Sequence, residues 1–218
     1  MTKKFINILI LLILIGLSNS KTFAQDSINR KAFISVNTGC YLPTGNDFNK
    51  IYGDFIFING LSIGIPFTNQ DLYLYGKAMY FVKEGMPIIY HFTSNNGISS
   101  TYATQEGLIT IKHFLFNLGL QYNFKLNDNI KIITNGGLTL IKSTEKSDNP
   151  VKFDSKGGGL SGLFLGLGIE RSFSTIPLSL FTECQYNSSF SILKTYNLDY
   201  SAININIGLR FYFNQTHK

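Results

Sequence analysis

The last stretch of the chain alternates strictly between apolar and polar residues. The odd-numbered positions from 203 to 213 are all Ile, Leu or Phe. The even-numbered positions between them are polar or small: Asn204, Asn206, Gly208, Arg210 and Tyr212. Successive side chains of a β-strand point to opposite faces, so this period predicts a strand with one apolar and one polar wall. A soluble two-layer sheet can carry the same pattern, so the rest of the chain must decide between the two.

Seven earlier segments repeat the alternation. They cover residues 32–42, 55–67, 71–83, 106–124, 130–141, 161–173 and 178–187. With the closing segment at 200–213, the sequence therefore predicts eight strands. Two residues of the second strand, Ile56 and Ile58, fall on its polar wall and break the pattern.

The connections between these strands alternate in length. Long loops are expected at 43–53, 84–105, 142–160 and 188–199, and short turns at 68–70, 126–129 and 174–176. Outer-membrane barrels have brief periplasmic turns and longer external loops, and an even strand number puts both termini on the periplasmic side. Closing the sheet also satisfies every backbone group in lipid. The expected fold is all-β: an eight-stranded antiparallel up-and-down transmembrane β-barrel.

The first 24 residues have the pattern of a secretory signal peptide. Lys3 and Lys4 precede an apolar run over residues 5–17, and small residues at the right spacing end at Ala24. The apolar run is shorter than the ~20 residues that a spanning helix needs. No cysteine stands at the end of the leader, so no lipoprotein anchor is expected. We expect export, with residues 25–218 forming the outer-membrane barrel domain.

The overall charge does not indicate a nucleic-acid partner. The formal charge is +6, but three of the lysines lie in the predicted leader. The mature chain then carries a mild and dispersed excess of basic residues, too small for nucleic-acid binding. Cys40 and Cys184 fall on the apolar walls of non-adjacent strands. We expect two free, lipid-facing thiols, because the alternative, a disulfide, demands a short separation.

The polar walls carry five charged residues that would face the lumen: Lys77, Lys131, Glu170, Glu183 and Arg210. An eight-stranded barrel is just wide enough to be filled by side chains, and buried charges must be paired. We therefore expect an ion-pair network that plugs the barrel, whereas the alternative, a polar ion pathway, needs a wider lumen. Aromatic residues near strand ends could form interfacial girdles: Tyr41, Phe67, Tyr80, Phe81, Tyr122, Phe124, Phe211 and Phe213.

Candidate chemistry is sparse, and no catalytic residue, cofactor or metal is expected. The histidines are His91, His113 and His217. A lipid-modifying barrel enzyme needs a histidine with a hydroxyl nucleophile and a carboxylate nearby. No Ser or Asp lies beside His113 at strand-adjacent spacing, and the Ser and Thr residues near His91 are those of an ordinary polar loop.

Four segments resemble the PorT-like outer-membrane β-barrel family of Bacteroidetes-type bacteria. They read HFLFNLGLQYNF, LFLGLGIERSF, LSLFTECQYNSSF and INIGLRFYF, and the resemblance spans residues 32–213. It implies an outer-membrane barrel. The family's name-giving members assist a protein secretion system, which implies envelope or secretion-machinery proteins as partners.

The expected function is structural or adhesive rather than enzymatic. A monomer would sit in outer-membrane lipid and use four external loops as an interaction surface for envelope lipid, host or secretion-system proteins. The alternatives are a narrow pore or small-solute carrier and, third, a lipid-modifying enzyme that depends on His91 or His113.

Overall fold

The computed structural model describes residues 31–67, 71–85, 88–95, 100–107, 109–147, 155–156, 160–173, 176–189 and 199–214. The predicted signal peptide and the first residues of the mature chain lie outside these ranges. No helix within them has the length and apolarity of a membrane span.

Eight strands form one closed antiparallel barrel. They are β1 (Lys31–Pro43), β2 (Ile56–Pro66), β3 (Leu72–Glu84), β6 (Ile109–Lys125), β7 (Ile130–Ser147), β9 (Leu160–Ser172), β10 (Leu178–Asn187) and β11 (Ala202–Asn214). Each pairs with the next along the chain, and β1 pairs with β11 from Lys31↔Asn214 to Pro43↔Ala202. The predicted up-and-down eight-stranded barrel is confirmed.

The two walls of the barrel follow the predicted alternation. Apolar side chains of the outer wall are exposed, with Phe57 and Leu165 each 71% accessible, whereas Lys77 on the inner wall is only 1% accessible. A continuous apolar exterior around a polar interior reverses the arrangement of a water-soluble protein, as expected for a barrel surrounded by lipid.

Both cysteines are free and lie on the outer wall, as predicted. Cys40 is partly exposed and Cys184 is exposed. Each is the direct cross-strand neighbour of Ile205, from opposite sides of β11. An intervening strand separates the two thiols, and neighbouring strands are about 4.8 Å apart, so the pair is too far apart to bridge.

The long connections contain structure that the sequence did not predict. Residues 84–105 were expected to be irregular, but β4 (Ile88–Asn95) and β5 (Ser100–Gly107) form a separate two-stranded hairpin. The expected loop at 43–53 contains a helix, α1 (Asn46–Tyr52). In the expected loop at 142–160, β7 continues to Ser147 and pairs with β8 (Ser155–Lys156). Prediction of strands and helices relies on apolar residues that recur at a regular spacing over a long stretch of sequence. These short elements lack such a pattern.

The loop end of the lumen is filled by an apolar cluster beneath α1. Ile56 and Ile58, the two misfits of the polar wall, are buried in it with Phe48 and Tyr52 of the helix. Tyr41 and Phe81 belong to the same cluster and are at most 3% accessible, so their assignment to a lipid-facing girdle was wrong. The remaining girdle aromatics are exposed on the outer wall: Phe67, Tyr80, Tyr122, Phe124, Phe211 and Phe213.

Inward-facing glycines make room for large inward-facing rings. A Cβ placed on Gly64 would overlap the ring of Phe33, its direct neighbour on β1. That ring has little freedom to move, because it packs against Tyr73 and Tyr212 and lies under the guanidinium of Arg210. The lumen can therefore hold Phe33 only if position 64 has no side chain.

The variant Gly64→Ala tests this fit. We expect it to lower the free energy of unfolding by about 1–3 kcal/mol, the usual cost of overpacking a filled core. The matched control is Gly76→Ala on the outer wall, where an added Cβ would make an ordinary 3.6 Å contact with Ile63. Urea unfolding in lipid vesicles would compare the two variants. Equal stability of both would show that the Phe33 site is not tightly packed.

Candidate functional site

The middle of the lumen is crossed by a buried ion pair. Lys77 Nζ lies 3.0 Å from Glu183 Oε1, and both side chains are fully buried. Their strands, β3 and β10, are four steps apart around the eight-stranded barrel in either direction, so the two side chains reach towards each other from opposite walls. An eight-stranded barrel has an interior just wide enough to be filled by side chains, and this pair occupies the interior at this level.

Amide side chains extend this contact around the barrel. Lys77 Nζ also donates to Gln185 Oε1 at 3.4 Å, and Asn117 Nδ2 donates to the same oxygen at 3.2 Å. Gln185 Nε2 in turn donates to Asn135 Oδ1 at 3.4 Å. The ammonium group is thus held by a carboxylate and an amide oxygen, which offsets part of the cost of removing it from water.

A second charged group lies nearer the short-turn end. Arg210 donates to Glu170 Oε2 at 2.5 Å, and Tyr212 Oη donates to Glu170 Oε1 at 2.5 Å. Lys131 Nζ is 3.6 Å from the same carboxylate. The Arg210 guanidinium carbon also lies 3.9 Å from the ring centroid of Phe33, a cation–π contact.

The structure thus divides the five charged residues predicted for the lumen into two groups. Lys77 and Glu183 form the central pair; Arg210, Lys131 and Glu170 form the group towards the short turns. The second group is linked to the far wall through a 3.4 Å contact from Arg210 Nη2 to Gln121 Oε1 on β6. The alternation along each strand predicts that these side chains face the lumen, but it does not show which charge each amide contacts.

His113 has a hydroxyl partner, contrary to expectation. Its Nδ1 lies 2.7 Å from Ser143 Oγ, and the two residues are direct cross-strand neighbours on β6 and β7. Ser143 is not close to His113 in sequence. The pairing of β6 with β7 brings the two residues together. The ring stacks between Phe81 and Tyr200 and is fully buried, so a substrate cannot reach this pair in the structure. The backbone of His91 lies in β4; its side chain and His217 lie outside the described residues.

Hydrogen bonds to Asp199 hold together the connection that leads into β11. Its carboxylate accepts hydrogen bonds from Ser189 Oγ and from the backbone N–H of Ser201, each at 2.9 Å. Partial burial raises the pKa of Asp199, but the hydrogen bonds from Ser201 and Ser189 outweigh this and hold the pKa below its usual value. At neutral pH the carboxylate is therefore charged and joins two segments of this connection.

Among the described residues, no group of three or more His, Cys, Asp or Glu side chains is arranged to hold a metal ion. The polar side chains of this part of the chain instead contact one another across the lumen. Their arrangement is that of an internal scaffold that links opposite walls of the barrel.

Comparisons with known proteins show the class of fold. No protein-family model matches the chain, and no curated protein matches it. Among solved structures, neisserial surface protein A is similar with a TM-score of 0.53 and 13% identity over 84% of this chain and 97% of that one. Outer membrane protein OprG from Pseudomonas aeruginosa has a TM-score of 0.51 and 13% identity over 85% and 97%. The attachment invasion locus protein Ail of Yersinia pestis has a TM-score of 0.50 and 12% identity over 85% and 100%. At these identities the likeness shows the fold alone: this chain has the β-barrel fold of these outer-membrane proteins.

The central ion pair yields a stability prediction. We expect Glu183→Gln to lower the free energy of unfolding by about 3–5 kcal/mol, because it leaves the Lys77 ammonium buried without its countercharge. The double variant Lys77→Met/Glu183→Met should recover most of this loss, since it removes both charges. Urea titrations in vesicles would measure both variants. A double variant that is no more stable than Glu183→Gln would contradict the pairing argument.

Proposed function

We propose that the mature chain is an integral outer-membrane protein whose long loops form a structural or adhesive surface. The observation that carries the proposal is the combination of an apolar outer wall with a lumen filled by ion pairs and an apolar cluster. The wall suits contact with lipid, and because the lumen is filled, macromolecular partners would be met at the ends of the barrel, of which the loop end presents the larger surface.

The loop end supports an interaction role because it carries most of the structure outside the barrel. The β4–β5 hairpin, α1 and β8 all belong to connections at this end. The short turns at the other end contain only a few residues each. Ail, whose name describes an attachment and invasion protein, shares the barrel fold, and adhesion is the role that this likeness suggests for the loops here.

The resemblance to the PorT-like family supports a narrower version of the proposal. Under it, the partners at the loop or turn end would be envelope or secretion-machinery proteins. The strand motifs that carry the resemblance, such as the closing INIGLRFYF, form barrel strands in the structure. They describe the wall of the barrel rather than its loops, so the partner class rests on the resemblance itself.

Catalysis is the least favoured role. The His113–Ser143 pair is sealed beneath the apolar cluster, and Tyr52 of α1 lies above it and donates to Glu145 at 2.9 Å. A lipid substrate would have to displace α1 to reach the pair. The proposal therefore assigns these residues to packing of the loop end.

A loop-shortened variant tests the proposed surface. Gly85 N–H bonds to the carbonyl of Ile109 at 2.7 Å, so residues 86–108 can be replaced by an Asn-Gly turn between β3 and β6. We expect the variant, like the intact protein, to remain in salt-washed outer membranes and to shift in gel mobility on boiling, because the barrel is unchanged. Attachment of producing cells to host-cell monolayers should fall several-fold. The control is Asp128→Ala in a short turn, which should attach like the intact protein; undiminished attachment of the shortened variant would refute a role for the hairpin.

Planar bilayers test the pore alternative. We expect no discrete conductance from the folded protein, because the Lys77–Glu183 contact spans the lumen and the apolar cluster closes its loop end. Regular single-channel steps, altered in Glu183→Gln or Arg210→Gln, would favour the pore or carrier function instead. The heat-dependent gel shift of each sample would confirm that the protein was folded when it was tested.

A further inference from the structure

The short-turn end of the barrel contains a cavity of about 360 Å³. Three lysines line it, Lys31, Lys125 and Lys131, with a single carboxylate, Asp71. One side is apolar and is formed by Phe173 and residues 176–178. The volume lies at the small end of the range for ligand pockets, which combine apolar walls with a few placed polar groups.

Two of these lysines are direct cross-strand partners. Lys125 at the end of β6 faces Lys131 at the start of β7, and both line the cavity. Like charges directly opposite each other on a sheet destabilise it. This pair therefore creates a local excess of positive charge that an anion between the two ammonium groups would relieve.

The neighbouring carboxylate does not remove this excess. Glu170 on β9 is the cross-strand partner of Lys131 on the side away from β6. The Lys131 Nζ lies 3.6 Å from Glu170 Oε1. The same carboxylate is already bound by Arg210 at 2.5 Å and by the hydroxyl of Tyr212 at 2.5 Å. One carboxylate thus contacts two cations, Arg210 and Lys131, and its single negative charge can balance only one of them.

The side chains around the opening favour an organic anion over an inorganic one. The Lys131 ammonium lies 4.8 Å from the ring centroid of Tyr212, which holds it at the boundary between the cavity and the lumen. Lys31 lines the cavity from β1, a strand that is not adjacent to β6 or β7. A ligand there would meet cations from two sides and an apolar surface on a third.

We propose that this cavity is a binding site for a small organic anion, a carboxylate or phosphate group attached to an apolar moiety. The anionic group lies between Lys125 and Lys131, and the apolar moiety packs against residues 176–178. The sequence predicts that the short turns lie on the periplasmic side of the membrane. The ligand therefore enters this cavity from the periplasm. The binding site depends on the barrel alone and not on any role of the loops.

Calorimetric titration of the mature full-length protein, folded in lipid vesicles, tests the site. The probes are phenyl phosphate, benzoate and the neutral benzyl alcohol, which separate phosphate, carboxylate and purely apolar recognition. We expect saturable binding of at least one anion, weakened by added salt because the lysines are partly exposed, and no binding of the alcohol. Binding of the alcohol as tight as that of the anions, or no saturable binding of either anion, would overturn the proposal.

Lysine variants locate the anionic group. Lys125→Gln should weaken binding about threefold and Lys31→Gln/Lys125→Gln about tenfold, in keeping with partly exposed charge contacts. The matched control is Lys112→Gln, an exposed lysine on the same strand β6 that lies towards the loop end; it should bind like the intact protein. Equal weakening in the control would show that the effect is one of overall charge, and the site would be rejected.

A charge reversal separates ligand binding from loss of folding. Lys125→Glu places a carboxylate opposite Lys131, so it should abolish anion binding and at the same time make the barrel more resistant to urea. A heat-dependent gel shift would show that this variant is folded. Unchanged anion affinity in folded Lys125→Glu would contradict the proposed position of the anion.

Discussion

The interior of an eight-stranded barrel is only as wide as two side chains that meet from opposite walls, and this limit decides what the lumen can contain. Lys77 and Glu183 meet across it at 3.0 Å, and Arg210 reaches both Glu170 and, on the far side, Gln121. Any large side chain must be matched by a small one, as Phe33 is by Gly64. Any charge must find its partner inside, because no bulk water competes for it.

The chain satisfies this limit in two different ways along the barrel axis. Near the loops it packs an apolar cluster of the kind found in soluble proteins, with Phe48 and Tyr52 of α1 added from above. In the middle and towards the turns it uses charges and amides together with a smaller aromatic cluster of Phe33, Tyr73, Tyr75 and Phe164. The apolar part resists entry of water from the loop end, and the polar part holds opposite strands at fixed positions through directional contacts.

Much of the barrel could be predicted from the sequence because its main signal, the period of two, is local. That period placed Lys77, Glu183 and Arg210 on the inner wall. The side-chain partners are not local in sequence: Gln185 contacts Lys77 from the opposite wall of the barrel, and Ser143 contacts His113 from the neighbouring strand. Tyr41 and Phe81 were assigned to the girdle because they lie near strand ends. The alternation of side chains along their strands, however, places both residues on the inner wall.

The pairing of β1 with β11 has a consequence for how the protein is made. These are the first and the last strands of the barrel along the chain, and they pair over their full length. Until β11 is in place, β1 and β10 each present a row of unsatisfied backbone groups, which lipid does not tolerate. The chain must therefore be made through β11 before the barrel can close and be stable in lipid. A chain that ends before Ala202 is left as an open sheet with two unpaired edges, which favours aggregation over a partly working protein.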